Sequence, residues 1–207
     1  MSDLLSWTHY RQLLSIKNID EIKYYIKLCE EESLSTRELQ RRIKNKDYER
    51  LSVDTKEKLA RKQNMEVHDF IKNPIIIKNN HKYEEVGEKV LKTLILEDIS
   101  SFLKELGEGF CFIDSEYKIK IGSRYNYIDL LLFNYKYNYF VVVELKVSEL
   151  KKEHIGQIQV YMNYIDKKVK NFMQNKTIGI IVCYKNNEFI IEYSSDNRII
   201  TTEYQLT

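Results

Sequence analysis

The segment of residues 139–147, YFVVVELKV, constrains the fold more than any other part of the chain. Its aromatic and β-branched residues predict a buried strand, yet Glu144 and Lys146 stand inside it. Alternate residues of a strand share a face, so these two charges point to one side and Leu145 points to the other. Charged side chains are rarely buried unless they are paired or bind a metal. We therefore expect a charged site on a hydrophobic sheet.

A second acidic residue belongs to the preceding predicted strand. Residues 127–133 are also rich in β-forming side chains, and residues 134–138 between the two runs indicate a hairpin turn. A hairpin that pairs around residue 136 places Asp129 opposite a position near 143, and therefore beside Glu144. A Glu-x-Lys pattern on its own is more typical of an exposed face or an ion pair, and that interpretation stays open at this point.

Two neighbouring carboxylates on a sheet would suit a divalent cation. Mg²⁺ prefers oxygen ligands and typically takes one or two carboxylates together with water and substrate phosphate. Such an ion polarises a phosphate and helps to generate hydroxide. We therefore predict that Mg²⁺, or Mn²⁺ in its place, bridges Asp129 and Glu144. Lys146 would orient the attacking water or stabilise the transition state.

Two predicted helices flank this sheet. Residues 86–106 form one long amphipathic pattern, in which Glu97 would face the sheet and complete a metal or water shell. Residues 155–165 predict a second helix, on which Gln157 and Tyr161 share a face because they are four positions apart. The alternatives are a solvent-exposed Glu97 and an ordinary half-buried helix.

The remaining patterns indicate an α/β protein with a central mixed β-sheet flanked by helices, preceded by a small all-α domain. The other predicted strands are residues 110–113, 117–121, 177–184 and 188–193. The pattern changes near Pro74, the only proline, from purely helical to mixed. We therefore expect a helical domain over residues 1–73 and a second domain over residues 74–207.

The helical region contains a basic segment. Ser35 stands three positions before Glu38, which is a capping-box signature for a helix start. Residues 33–51 resemble the beginning of a helix-turn-helix. The candidate DNA-contacting residues are Arg37, Arg41, Arg42 and Lys44. The alternative is a solvated helix face in an interaction or dimerisation module.

Composition adds only exclusions. The formal net charge of +2 is too small to identify a partner. The three cysteines, Cys29, Cys111 and Cys183, form no CxxC pair, which argues against a zinc site or a disulfide framework. No run approaches the roughly 20 apolar residues of a membrane helix. We expect a cytoplasmic protein with no membrane partner.

Taken as an ordered set, these motifs resemble the YhcG-type nuclease family of the PD-(D/E)XK superfamily. The resemblance of the second domain rests on five motifs: LGEGFCF at 106–112, YIDLLLF at 127–133, VVELK at 142–146, IGQIQVY at 155–161 and TIGIIVC at 177–183. Two N-terminal segments, LSWTHYRQLL at 5–14 and REL at 37–39, resemble the family's separate helical domain. The superfamily's Pro-Asp is replaced here by Ile128-Asp129.

The resemblance implies a restriction-endonuclease-like core with a defined set of site residues. Asp129 and Glu144 would hold Mg²⁺, often joined by the backbone carbonyl of Leu145, and Lys146 would be catalytic. The supporting residues would be Glu97, Gln157 and Tyr161.

The function predicted from this resemblance is that of a metal-dependent DNA nuclease. It would hydrolyse phosphodiester bonds in DNA, in restriction, defence, or recombination and repair. We also expect a homodimer, since cutting both strands of a duplex commonly takes two active sites. The alternative is a DNA-binding or assembly module that keeps a nuclease fold without cutting.

Overall fold

The structure is a computed structural model that describes residues 5–61, 63, 66–194 and 196–207. The chain divides into two compact units, Met1–Phe70 and Ile71–Thr207. Among the described helices, none has both the length and the apolar character needed to cross a membrane.

The first unit is helical. Its elements are α1 (Trp7–Leu13), α2 (Ile19–Glu32), α3 (Thr36–Lys44), α4 (Val53–Ala60) and α5 (Val67–Phe70). The predicted helix start at Ser35 is confirmed, because its hydroxyl accepts the backbone N–H of Glu38 at 3.2 Å. Asn18 and Ser52 cap α2 and α4 in the same way. These caps satisfy N–H groups that have no partner inside the helix.

The second unit is a six-stranded mixed sheet flanked by helices, which confirms the predicted fold class. Its elements are β1 (Ile75–Ile77), α6 (Glu88–Glu97), α7 (Ile99–Leu106), β2 (Phe110–Ile121), β3 (Arg124–Asn134), β4 (Tyr139–Glu149), α8 (Lys152–Lys168), β5 (Ile178–Lys185), α9 (Glu188–Glu192) and β6 (Ile199–Leu206). The strand order is β1-β6-β5-β4-β3-β2. Strands β2, β3 and β4 are antiparallel neighbours, whereas β4, β5, β6 and β1 run parallel.

The central strand β4 is covered on both faces, which explains its nearly continuous apolar sequence. The hairpin predicted between β3 and β4 is confirmed, with Asn134 paired to Tyr139 at the turn and Leu130 paired to Val143 at the far end. Helix α8 packs on the face that carries Val142, within one buried cluster. Gly179 on β5 allows this approach, because a Cβ there would lie 2.7 Å from the sulfur of Met162.

Two sequence predictions for helices are corrected. The pattern over residues 86–106 forms two helices, α6 and α7, because the backbone breaks at Asp98 with φ −132° and ψ 52°. The Asp98 carboxylate then caps α7 by accepting the N–H of Ser101. Residues 188–193, predicted as a strand, contain the short helix α9, which begins where Asn187 accepts the N–H of Ile190.

The strand predictions also differ from the structure. The two short strands expected over residues 110–113 and 117–121 form the single strand β2, with an irregularity between Phe112 and Asp114. Strands β1 and β6 were not predicted, yet β6 lies inside the sheet between β1 and β5.

Candidate active site

Asp129 lies at the point where strands β3 and β4 separate. The last backbone pair between them joins Leu130 to Val143, so Asp129 stands one residue beyond the ladder. Its Oδ2 accepts the backbone N–H of Leu145 at 3.0 Å. The carboxylate thus satisfies an N–H that β3 no longer reaches, and this contact brings Asp129 to β4 next to Glu144, as the hairpin pattern predicted.

Glu144 is the most deeply buried carboxyl group of the cluster, with 2% of the residue exposed. Burial and, to a smaller extent, the negative charge of Asp129 raise its pKa to about 8, and the Lys146 ammonium only partly opposes these two effects. Its Oε2 accepts a hydrogen bond from Gln157, but none of the described residues donates one to its Oε1. A buried carboxylate oxygen without a donor, beside a second carboxylate, is suited to a cation.

Lys146 faces the same side of the sheet as Glu144, as the alternation in β4 predicted. Its Nζ lies 3.5 Å from Oε2 of Glu144 and 3.7 Å from Oε1 of Glu88. These are ion-pair distances that are too long for close hydrogen bonds. The ammonium is therefore held loosely between two carboxylates, and it can turn toward a third anion without breaking a short bond.

Helix α8 supplies the polar support of Glu144. The predicted pair Gln157 and Tyr161 shares a face, and Nε2 of Gln157 lies 3.1 Å from the Tyr161 hydroxyl and 3.3 Å from Oε2 of Glu144. The amide carries two hydrogens and can make both bonds at once. Gln157 therefore fixes one oxygen of Glu144 and leaves the other available.

The structure does not bring Glu97 to this cluster. Glu97 has a side chain that is 40% exposed, and its Oε2 lies within hydrogen-bonding distance of Nε2 of His81 at 3.0 Å. Glu88, nine residues earlier on α6, is the carboxylate that reaches Lys146. Nine residues correspond to two and a half turns and about 14 Å along a helix, so the two glutamates lie on opposite sides of it.

A second residue of α6, Lys92, also reaches the site. Its Nζ lies 2.7 Å from Oε1 of Glu116 on β2 and 3.4 Å from Oδ1 of Asp129. Glu88 and Lys92 are four positions apart on α6, so their side chains share a face of the helix. This spacing is visible in the sequence and is the signal that could have identified these two residues instead of Glu97. The cluster therefore has four carboxylates, Glu88, Glu116, Asp129 and Glu144, and two ammonium groups, those of Lys92 and Lys146.

The basic residues of the first unit divide into two groups. Arg42 is buried and forms ion pairs with Glu32 at 2.7 Å and Asp47 at 3.2 Å, so it does not face a DNA surface as expected. Arg41 is paired with Glu38. Of the four predicted DNA-contacting residues, only Arg37 and Lys44 are exposed.

The first unit also contains an acidic group with ligand-like spacing. Ligand atoms of Asp54, His68 and Asp69 lie within 4.8 Å of one another. The ammonium of Lys58, however, lies 2.8 Å from Asp54 and 2.9 Å from Asp69, so a lysine already pairs with both carboxylates. For a divalent ion, the Asp129–Glu144 pair is the better donor set, because Oε1 of Glu144 has no protein donor among the described residues.

Comparison with protein families gives matches over most of the chain. The family model described as "YhcG PDDEXK nuclease domain" matches residues 68–207, and the one described as "DUF1016 N-terminal domain" matches residues 1–50. A protein of Escherichia coli (strain K12) named "Putative nuclease YhcG" is 27% identical over 206 residues, covering 95% of this chain and 55% of that protein. The chain thus spans about half the length of this relative.

Two solved structures show a weaker likeness. A repair endonuclease from Pyrococcus abyssi gives a TM-score of 0.41 at 21% identity, covering 61% of this chain and 49% of that one. A complex of EndoMS with double-stranded DNA gives a TM-score of 0.40 at 20% identity, with coverage of 61% and 48%. At TM-scores this low, neither likeness carries weight in assigning a function.

Proposed function

The chain belongs to the YhcG PDDEXK nuclease domain family, and we propose that it is a metal-dependent nuclease that hydrolyses phosphodiester bonds in DNA. The observation that carries this proposal is the orphaned Oε1 of Glu144, buried beside Asp129. A protein that used Glu144 only as an ion-pair partner would have no need for a buried oxygen without a donor.

The donor set fits a hard divalent cation. Asp129 and Glu144 would hold Mg²⁺, with Mn²⁺ as a substitute, and the backbone carbonyl of Leu145 is the third candidate ligand. When bound, such an ion supplies charge neutralisation at the phosphate and a more acidic water. Gln157 holds Oε2 of Glu144 by a hydrogen bond, so Oε1 would be the oxygen available as a ligand.

Lys146 is the residue that we assign to the reacting phosphate. Its ammonium is buried at the rim of the cluster and carries no short hydrogen bond to either carboxylate. It can therefore hold an attacking water or neutralise charge on the phosphoryl oxygens. Glu88, 3.7 Å from the ammonium, limits the positions that Lys146 can take.

The wider functional setting extends this proposal. The substrate is DNA, the role is in restriction, defence, or recombination and repair, and two chains act together because cutting a duplex takes two sites. The exposed Arg37 and Lys44 are the N-terminal residues that we assign to DNA contact, within a domain of residues 1–73 that precedes the nuclease domain of residues 74–207. A cytoplasmic location stays a prediction.

The decisive test measures cleavage and metal binding with the same variants. Purified protein is incubated with single-stranded, double-stranded and branched DNA in Mg²⁺ or Mn²⁺, and metal binding is followed by calorimetry. Asp129→Asn should lose both metal binding and cleavage, whereas Lys146→Met should lose cleavage by at least about a hundredfold while it still binds the ion. Glu97→Gln is the matched control and should behave as the unmodified protein.

One observation favours the non-cleaving alternative. Lys92 and Lys146 already lie at ion-pair distance from Asp129 and Glu144, so the carboxylates have protein cations nearby. A scaffold that binds DNA or a partner without cutting would keep these pairs permanently. This alternative is favoured if the unmodified protein binds no divalent ion and its salt-dependent DNA binding is unchanged in Asp129→Asn.

A further inference from the structure

The outer part of the β2–β3 hairpin carries an exposed set of lysines and tyrosines. Lys118 pairs across the strands with Tyr127, and Lys120 pairs with Tyr125. We call these four residues the hairpin ladder. Directly opposed residues of an antiparallel pair lie on the same face, so the four side chains form one surface. Tyr125 is 56% exposed and Tyr127 is 53% exposed.

The hairpin ladder is continuous with the candidate active site. Tyr127 is two residues from Asp129 on β3, and Lys118 is two residues from Glu116 on β2. Lys92 bonds both Glu116 and Asp129, which shows that these two carboxylates approach the same ammonium group. The ladder therefore lies directly next to the candidate active site along both strands.

Two residues that stand next to ladder residues along the strands, Ile119 and Ile128, are already in use in the core. Both are almost fully buried and belong to the core cluster that includes α8. The tyrosines of the ladder have no share in that cluster. Lys118 lies over the Tyr125 ring, with its Nζ 4.0 Å from the centroid, and Lys120 lies 5.8 Å from the same centroid. Cations and aromatic rings are thus interleaved on an open surface.

This chemistry matches an unpaired nucleic-acid strand. Lysines neutralise backbone phosphates, and exposed aromatic rings stack on bases that are not already stacked in a duplex. From this match, and resting on the nuclease function proposed above, we propose that the hairpin ladder binds a single-stranded segment of the DNA substrate and leads it to the Asp129–Glu144 site. The substrate class is therefore DNA with an unpaired region next to the bond that is cut.

The test measures binding of a fluorescein-labelled oligothymidine to the full chain, in EDTA so that no cutting occurs. Tyr125→Ala and Tyr127→Ala should each weaken binding by roughly tenfold, whereas the Phe variants keep the ring and should bind as the unmodified protein. Lys118→Gln and Lys120→Gln should each lower the slope of log affinity against log salt by about 0.7.

Matched controls use exposed residues outside the hairpin ladder. Tyr135→Ala at the β3–β4 turn and Lys176→Gln before β5 should leave the affinity unchanged. Equal melting temperatures of all variants would show that the ladder does not act through folding. Unchanged affinity of the tyrosine variants overturns the inference, as does a loss confined to a blunt duplex probe.

The two proposals fail in different measurements. If Asp129→Asn abolishes cleavage while the tyrosine variants bind normally, the nuclease function stands and the ladder is wrong. If no DNA is cut while single-strand binding depends on the tyrosines, the surface is real but the catalytic assignment is wrong.

Discussion

Replacing Glu144 by glutamine should make the metal-free protein more stable above neutral pH. The carboxyl group is buried, one of its oxygens has no donor among the described residues, and the nearby charge of Asp129 disfavours a second negative charge. Glutamine has the same shape as a protonated glutamate but cannot ionise. The substitution therefore removes the cost of ionisation and keeps the packing.

The size of the effect follows from the pKa of Glu144. It is raised from 4.5 to about 8 in the folded protein, so between these values the folded chain holds a proton that the unfolded chain has lost. The free energy of unfolding must then fall as pH rises, by about 1.4 kcal/mol per pH unit. The contribution is fully present below about pH 4.5 and is lost by pH 8. The total loss is about 5 kcal/mol on this scale.

The assay is urea unfolding of both proteins in EDTA, from pH 5 to pH 9. Circular dichroism is the suitable signal, because the only tryptophan, Trp7, lies in the first unit and would not report on the sheet. The difference between the two proteins isolates Glu144 from all other titrating groups. Mg²⁺ should raise the stability of the unmodified protein most at high pH, where Glu144 can ionise.

Glu105 provides the matched control. It is also a buried carboxyl group of the second unit, but it accepts the N–H of Ile76 at 3.1 Å and lies 3.6 Å from the ammonium of Lys72. Glu105→Gln should lower stability at every pH, with no gain at high pH. If Glu144→Gln and the unmodified protein instead lose stability in parallel between pH 5 and pH 9, the proposed protonation of Glu144 is refuted.

Two further substitutions test the packing around the site and the buried charge of the first unit. Gly179→Ala should lower the free energy of unfolding by about 1–2 kcal/mol, because the new methyl group meets the Met162 sulfur at 2.7 Å, and unchanged urea unfolding would contradict this. Arg42→Met should lower the free energy of unfolding by about 3 kcal/mol, because Asp47 and Glu32 lose a buried partner. A melting temperature equal to that of Arg37→Met would show that these two ion pairs contribute nothing to stability.

Strand β4, which carries the candidate site, could be predicted from the sequence because its period is short and its signal is local. Side chains alternate between the two faces of a strand, so Glu144 and Lys146 share a face whatever the rest of the chain does. The hairpin turn then brings Asp129 near them. The symmetric guess around residue 136 missed the register by only one position, since Leu130 pairs with Val143.

The helix glutamate could not be chosen in the same way. An amphipathic pattern defines which side of a helix is apolar, but it does not say which end of the helix lies over the site. The helix also breaks at Asp98, whose side chain caps α7. Because the apolar pattern continues through this break, the sequence predicted one long helix and not the shorter α6. Glu97 was therefore the residue chosen, whereas Glu88 is the carboxylate of α6 that lies beside Lys146.

Other errors arose where tertiary partners decide the outcome. Arg42 looks like a surface cation in sequence, because its buried partner Asp47 lies beyond the end of α3. Residues 188–193 have strand-forming side chains, yet the Asn187 cap favours a helix there. Strand β1 has only three residues, and its parallel neighbour is far away in the chain.

That distant pairing sets an order on synthesis. Strand β6 lies between β1 and β5, and the Thr202 hydroxyl donates to the carbonyl of Lys72, 130 residues earlier. While the chain is being translated, β2, β3 and β4 can pair with one another as they emerge, whereas Ile75–Ile77 has no partner strand until Ile199–Leu206 leaves the ribosome. Asp129 and Glu144 can therefore be brought together before one border of the sheet is closed.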